Sequence, residues 1–409
     1  MVAALRWLPK ASLVMVLLLR ASPSHGEPIA PPHDATPTDA APAPTATSAA
    51  AAPAAARPAW ARVDFNFGKG LQIVGTDGRS ALQLRGFIRA RQTLEMRQHG
   101  GGEALVRNAQ LRMDGQALKP GLTWRMQVGL SPSEMGAGGQ RLLQTALVRW
   151  TWPVGISVAV GRGKVPFGAQ RLAHSSELQL SDLSVAVQEL HLDRTTGLFV
   201  NTSPDKVADI AGVFAATDPG GLLGFRARLR PLGAFDDTVE GDVERIKRLR
   251  IALAGSVALA PALAAPQVTR GSAFAATWTK ASLLAVDFTM KYNGFSAHAE
   301  WLLRQAERDS AYLDTGTAVV RVWSRSAYGA HLQLGQMVSP WLQVAARMAR
   351  LRRLGGTDPA LVSVDELAVG VTAHFAGNDS KLLLEFADRF TGALKDGDLT
   401  VRGQVALFW

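Results

Sequence analysis

The sequence predicts an all-β protein, a transmembrane antiparallel β-barrel of about 16 strands. Three observations predict it. The stretch Leu399–Trp409 reads LTVRGQVALFW, with Val401, Gly403, Val405, Leu407 and Trp409 on one strand face and Thr400, Arg402, Gln404 and Ala406 on the other, because side chains alternate with period two. Such a strand, apolar on one face and ending in an aromatic, is expected to close a barrel. From Ser80 onward the chain divides into alternating segments separated by turn residues. The connections alternate between short and long, as a barrel with tight turns at one end and loops at the other requires.

The composition agrees. Of 409 residues, 19% are charged and 47% apolar, and mean hydropathy is +0.06. Outside the N-terminus no apolar run approaches the ~18 residues of a spanning helix. A barrel hides its apolar residues by alternation and reads as this bland. Arg6 and Lys10, the apolar Ala11–Leu19 and the small residues around Ser24-His25-Gly26 mark residues 1–26 as a secretion signal. Arg20 cuts the apolar run too short for an anchor helix. Residues 27–59 are Ala/Pro-rich and cannot bury a core; a disordered or polyproline-like linker is expected, and residues 60–409 form the barrel. With no cysteine, disulfides, thiolate metal sites and lipoprotein anchoring are excluded, and no cofactor or metal is expected. The formal charge of +10 is almost all arginine. Nucleic acid is not the expected partner, because the chain is exported and its arginines are dispersed with no basic run.

The expected strands are 80–97, 103–117, 121–131, 141–153, 155–164, 197–203, 208–217, 222–231, 248–259, 282–292, 294–304, 325–337, 340–351, 363–376, 380–390 and 399–409. An even number puts both barrel ends on the periplasmic side. Segment 271–280 also alternates, but as a strand it would put the Tyr292–Gly294 turn on the wrong side, so it is placed in a loop. Residues 232–247 make an awkwardly long connection at the turn end, for which the pattern supplies no role.

The arginines follow the alternation. Arg85, Arg89 and Arg91 oppose Leu84, Ile88 and Leu94; Arg226, Arg228 and Arg230 oppose Leu223, Phe225 and Leu229; Arg248 and Arg250 oppose Leu249 and Ile251; Arg112 and Arg125 lie on the polar faces of their strands. An Arg facing lipid at mid-depth costs about 2–4 kcal/mol, so Arg226, Arg228 and Arg230 together would cost about 6–12, comparable to a fold's whole margin of about 5–15. These side chains are therefore expected to face the lumen or the membrane edge. Same-face neighbours sit about 6.6 Å apart, and guanidinium forks spaced so suit the stepwise passage of phosphate or carboxylate oxygens. The alternative is pairing with lumen carboxylates such as Glu95, Asp114 or Glu300, or holding headgroups at the rim.

Val160–Gly168 (VGRGKVPFG), followed by Arg171-Leu172 and Ser175-Ser176, resembles the phosphate-selective porins O and P. In that family a strand ends in G-x-x-K-x-P-F-G and a Ser-Ser loop follows. Asp193–Leu198 resembles the return from that loop, Val106–Gly115 an Arg-rich second strand, and Tyr292–Trp301 a hairpin. The resemblance covers residues 62–409. Departures are Gln170 where the family has Glu, no aromatic-Glu-Arg run in Val185–Leu190, and no lysine cluster near the mouth. They bear on phosphate selectivity rather than on anion preference.

The resemblance implies a long loop after the fifth strand, 165–196, folded into the pore as its constriction. Lys164, Arg171, Ser175, Ser176 and Arg194 would supply donors there, with Leu178, Leu180, Leu183, Val185 and Val187 pinning the loop to the wall. His174 and His191 read as polar loop residues. It also implies a homotrimer in the bacterial outer membrane, in contact with lipid and lipopolysaccharide and inserted by the barrel assembly machinery through Phe408 and Trp409. Trp150, Trp152 and Trp301 would lie in interfaces or aromatic girdles. The expected function is passive, anion-preferring diffusion of small solutes, phosphate or polyphosphate among them. The alternatives are a non-selective or structural barrel, and an outer-membrane hydrolase, against which stands the lack of a GxSxG elbow, HExxH helix or P-loop.

Overall fold

A computed structural model describes residues 61–409, apart from 77–78, 97–99, 117–118, 120, 136–141, 203–206, 216–220, 262–278 and 315. The expected signal and linker lie outside the described residues, as does nearly all of segment 271–280. Two short strands come first, β1 (Ala61–Asn66) and β2 (Gly70–Gly75). The barrel begins with β3 (Ala81–Glu95), β4 (Gly102–Gln116), β5 (Leu122–Gly129), helix α1 (Pro132–Met135), β6 (Leu143–Thr151) and β7 (Ile156–Lys164). After helix α2 (Val185–Leu190) come β8 (Arg194–Thr202), β9 (Ala208–Ala215), β10 (Leu222–Leu229), β11 (Arg250–Ala260), β12 (Ala281–Tyr292) and β13 (Phe295–Ala306). A separate hairpin, β14 (Ser310–Asp314) and β15 (Val319–Trp323), precedes β16 (Ala327–Met337), β17 (Leu342–Arg353), β18 (Val364–Ala376), β19 (Ser380–Phe390) and β20 (Asp398–Phe408).

Every barrel strand pairs antiparallel with its neighbours, and the sheet closes where β20 meets β3, from Thr400↔Glu95 to Phe408↔Phe87. Leaving aside β1–β2 and β14–β15, the closed barrel has sixteen strands, as the sequence predicts. Turns alternate with loops. At one turn Asn293 (φ 46°) and Gly294 (φ 89°) are both left-handed, the geometry that a two-residue hairpin needs. At the seam Gly86 and Trp409 exchange backbone hydrogen bonds of 2.7 and 2.9 Å. A Cβ on Gly86 would lie 2.4 Å from the Trp409 ring, so only glycine lets the indole lie flat there.

Alternation decides what each face meets. Leu223, Phe225, Leu253, Val257, Met348, Val369, Phe386, Val405 and Leu407 are exposed on the outside. Arg226, Arg250, Asp287, Glu300, Gln333, Arg347 and Glu385 are buried on the inside. An apolar exterior around a polar interior is the membrane-barrel pattern.

Three features differ from the expectation. Residues 61–75 form a hairpin in which β2 pairs with the start of β3 (Leu71↔Leu84, Val74↔Ala81), below the point where β20 ends. The loop before β16 carries its own hairpin, β14–β15. The 230–249 connection is not a slack turn: Asp237, Glu240 and Asp242 within it are buried, and it reaches into the barrel.

Candidate functional site: the lumen

Sixteen strands enclose a space too wide for wall side chains to fill. Much of it is taken by the loop between β7 and β8, residues 165–193. Its apolar side, Val165, Phe167, Val187, Leu190 and Leu192, is fully buried against the β8–β17 wall. Small inner-face residues make the room: Ala258, Ala260, Ala281, Ala285, Ala327 and Ala349. Gly168 (φ 70°) allows the close approach, since a Cβ there would fall 2.2 Å from Glu300 Oε1. The Glu300 carboxylate accepts from the amides of Ala169 and Gln170, both at 3.1 Å. Ser181 donates to Glu385 through its amide (2.6 Å) and hydroxyl (2.9 Å), and Lys381 Nζ donates to Leu178 O at 2.6 Å. Ser184 caps α2 by accepting from Val187 N. The loop lies outside the membrane-spanning strands. Burial alone would raise the pKa of its Asp182, but Arg91, Arg107 and Arg89 outweigh it and hold the carboxyl below its ordinary value.

The inward arginines fall into two sets. Those on the β10–β20 arc are matched to acids. Arg226 is bidentate to Asp287 at 2.6 and 2.8 Å. Arg228 and Arg230 share Asp209 and Asp237, and Arg250 meets Asp242. Arg347 bonds Glu366, Arg402 bonds Glu385, and Arg304 bonds Glu189 of the loop. Arg248 lies in the connection before β11 and is exposed.

The second set lines the space the loop leaves, along the β3–β8 wall. At the turn end is a cavity of about 500 Å³ lined by Arg85, Arg112, Arg125, Arg149 and Asp114. The single Asp114 accepts from Arg85, Arg112 and Arg125 at 3.1, 2.6 and 2.5 Å. Beyond it, toward the loops, is a chamber of about 90 Å³ whose charged lining is Arg89, Arg107, Lys164, Arg171, Arg194, Glu134 and Asp182. Arg89 donates to Asn108 Oδ1 (2.8 Å) and Ser181 O (3.0 Å), and Lys164 to the carbonyls of Leu172 and Ala173 (both 2.8 Å). Among the described residues neither has a carboxylate in ion-pair range. Asp193 pairs with both Arg171 and Arg194. Counting it, basic side chains along the two spaces outnumber carboxylates nine to four.

Between the two spaces stands His174, packed edge-on against Phe87 and Phe408 at 5.2 and 5.7 Å. Its Nε2 lies 3.2 Å from Gln110 Oε1, and its Nδ1 2.8 Å from Ser176 Oγ. Burial and the nearby charges of Lys164, Arg112, Arg89 and Arg194 hold this loop imidazole well below its usual pKa, in the neutral form.

The placement of the sequence-predicted residues is therefore split. Arg85, Arg89, Arg112 and Arg125 border the two spaces, as do Lys164, Arg171, Ser175 and Arg194. Ser176 is turned to His174. Arg91 is bidentate to Asp182 (2.7 and 2.9 Å) and so fastens the loop. Arg226, Arg228, Arg230 and Arg250 lie in ion pairs away from both spaces. Of the suggested carboxylate partners, Asp114 pairs with arginines, Glu300 holds loop amides, and Glu95 is exposed. Sequence reasoning missed Arg149, Glu134, Asp193 and Arg107. Arg107 turns inward through a bulge, where Arg89↔Asn108 is followed by Ala90↔Val106.

A closed sixteen-strand antiparallel barrel with an apolar exterior and an inward-folded loop is a porin-type barrel of the bacterial outer membrane. The solved structures agree on the fold. OmpF of Salmonella typhi matches with a TM-score of 0.57 at 12% identity, over 85% of this chain and all of that one. An OmpT of Vibrio cholerae lacking loop L8 gives 0.54 at 9% identity, over 81% and 100%. An anion-selective porin from Comamonas acidovorans gives 0.52 at 11% identity, over 81% and 100%. No protein-family model and no curated protein matches the sequence, so the resemblance to the phosphate-selective porins O and P has no support beyond the motif residues.

Proposed function

We propose that the protein is an outer-membrane channel for passive, anion-preferring diffusion of small solutes, phosphate-sized oxyanions among them. The observation that carries this reading is the excess of basic over acidic side chains along the β3–β8 wall. Cations in a confined wet path raise the local anion concentration, and donors spread along it avoid one deep trap. One structural neighbour, from Comamonas acidovorans, is an anion-selective porin, which is compatible with this reading. The 165–193 loop is the constriction, and the outer face meets lipid and lipopolysaccharide. We extend the proposal to a homotrimer, with Trp152 and Trp301 exposed on the outer wall, and to assembly through Phe408 and Trp409. The test is reversal potential in asymmetric chloride across a planar bilayer, followed by titration with phosphate. Anion-positive selectivity with block of chloride current by phosphate supports the proposal; cation preference overturns it.

A second reading, a structural barrel with a closed lumen, is favoured by the size of the chamber. About 90 Å³ holds roughly six to nine waters at about 10–15 Å³ each, a narrow passage for a hydrated solute. Liposome swelling by small sugars separates the two readings.

A further inference from the structure

The two inward segments, from opposite ends of the barrel, meet at one carboxylate. Glu240, in the 230–249 connection, is 4% exposed. Its Oε2 accepts from Gln179 N at 2.7 Å and from Gln333 Nε2 at 2.7 Å, and its Oε1 accepts from Gln170 Nε2 at 3.0 Å. Its own amide donates to Glu177 O at 3.1 Å, and its carbonyl lies 2.6 Å from His298 Nε2. One residue thus ties the loop at both ends of its polar run (Gln170 and Gln179) to the connection and to two wall strands, β13 and β16. The connection is itself stapled down: Asp237 by Arg228 and Arg230, Asp242 by Arg250 and the Gly294 amide, and the carbonyls of Asp236 and Val239 by Lys291. Those arginines have a structural task that the anion path leaves unexplained.

We infer that Glu240 is a positioning residue: it locks the loop and the 230–249 connection into one partition across the lumen, confining passage to the β3–β8 side. The carboxylate suits the place, because charged acceptors bind N–H donors about twice as strongly as neutral ones. Glu240→Ala removes the acceptor for three donors at once, and the partition loosens. The space then uncovered is lined by matched pairs such as Arg226–Asp287 and Arg347–Glu366, which carry no net charge to select with.

The test uses the full-length protein and its freedom from cysteine. Ser296 is fully buried on β13, where its hydroxyl accepts from Gln179 Nε2 at 2.9 Å. In an otherwise native protein, Ser296→Cys is expected to resist a charged, water-soluble thiol reagent. With Glu240→Ala added, it is expected to react. Single-channel conductance of Glu240→Ala rises and its reversal potential moves toward zero. A Glu240→Ala protein that migrates as a folded barrel, keeps Cys protection and keeps native conductance overturns the inference. If that variant does not fold, Gln170→Ala with Gln333→Ala removes two of the three donors and leaves the charge; protection and conductance unchanged in this pair also overturn it. The labelling needs no channel activity, so it separates failure of this inference from failure of the channel reading on which its conductance arm rests.

Discussion

Arg89→Gln is the substitution that most directly probes the cationic path. Arg89 borders the narrow chamber with no carboxylate in ion-pair contact among the described residues, so Glu134 and Asp182 across the chamber offset its charge only in part. For an anion passing at about 6 Å, Coulomb's law gives roughly 0.7 kcal/mol at a dielectric of 80 and roughly 2.8 at 20. At about 1.4 kcal/mol per tenfold, anion occupancy of the chamber falls between about threefold and a hundredfold. The fold should tolerate the change. Ser181 O, which loses Arg89, still accepts from Arg91 Nη2 at 2.8 Å, and a buried cation without an acid partner is itself costly. The assay is reversal potential in asymmetric potassium chloride, with the variant shown to be a folded barrel by its heat-sensitive gel mobility. The difference from wild type should be large near 0.1 M salt and shrink at 1 M, as the screening length falls from about 10 to about 3 Å. A folded Arg89→Gln channel with native reversal potential at low salt refutes the reasoning.

The paired arginines should behave oppositely. Arg226→Gln strands Asp287 in a buried site at a cost of about 3–5 kcal/mol, whereas Arg226→Gln with Asp287→Asn recovers most of it; thermal unfolding distinguishes them, and selectivity stays native in both. Gly86→Val drives a side chain into the Trp409 ring and should destabilise the seam by about 1–3 kcal/mol, read as a lower temperature at which the folded band disappears. The Asp182 carboxyl is held below its usual value, so its stabilising attachment to Arg91 is fully present above about pH 3.9 and is lost only as pH falls through the depressed folded value. Titration of Asp182 should therefore leave conductance unchanged from pH 7 to about 4, while Asp182→Asn raises open-channel noise at every pH. His174 is held neutral, so anion selectivity should not climb between about pH 8 and 5; a rise centred near the ordinary histidine value of about 6.5 counts against its place between the two spaces.

The alternation of apolar and polar residues made the sixteen strands legible, because period two is a local property. It also kept Arg226, Arg228 and Arg230 off the lipid face, in the lumen or at the membrane edge; in the structure they point inward. It did not reveal their partners, because facing is local and neighbourhood is not. Asp287 lies two strands from Arg226, and Asp237 sits in a connection with no periodicity at all. A hint was present: five acids, Asp236, Asp237, Glu240, Asp242 and Glu244, crowd a connection at the end where turns are short. Arg107 could not be read, because a bulge reverses the parity on which the reading depends. The β1–β2 hairpin was legible in principle, since Val63, Phe65 and Phe67 alternate with Asp64 and Asn66.

Partner status traces where the lumen holds water. A guanidinium covered by the loop or by the 230–249 connection has lost its solvation and is stabilised by an acid in contact; Arg89 is the exception, held by Asn108 Oδ1 and Ser181 O instead. This accounts for Arg226, Arg230, Arg304 and Arg347, each buried and each on a carboxylate. A guanidinium beside open space keeps water as its partner and can share one acid among several, as Arg85, Arg112 and Arg125 share Asp114. The overall charge of +10 is thus not spread evenly over the inner wall. Covering half of the lumen demands acids there, and the basic excess within it gathers along the half left open. The anion preference proposed above would then follow from how the barrel is filled.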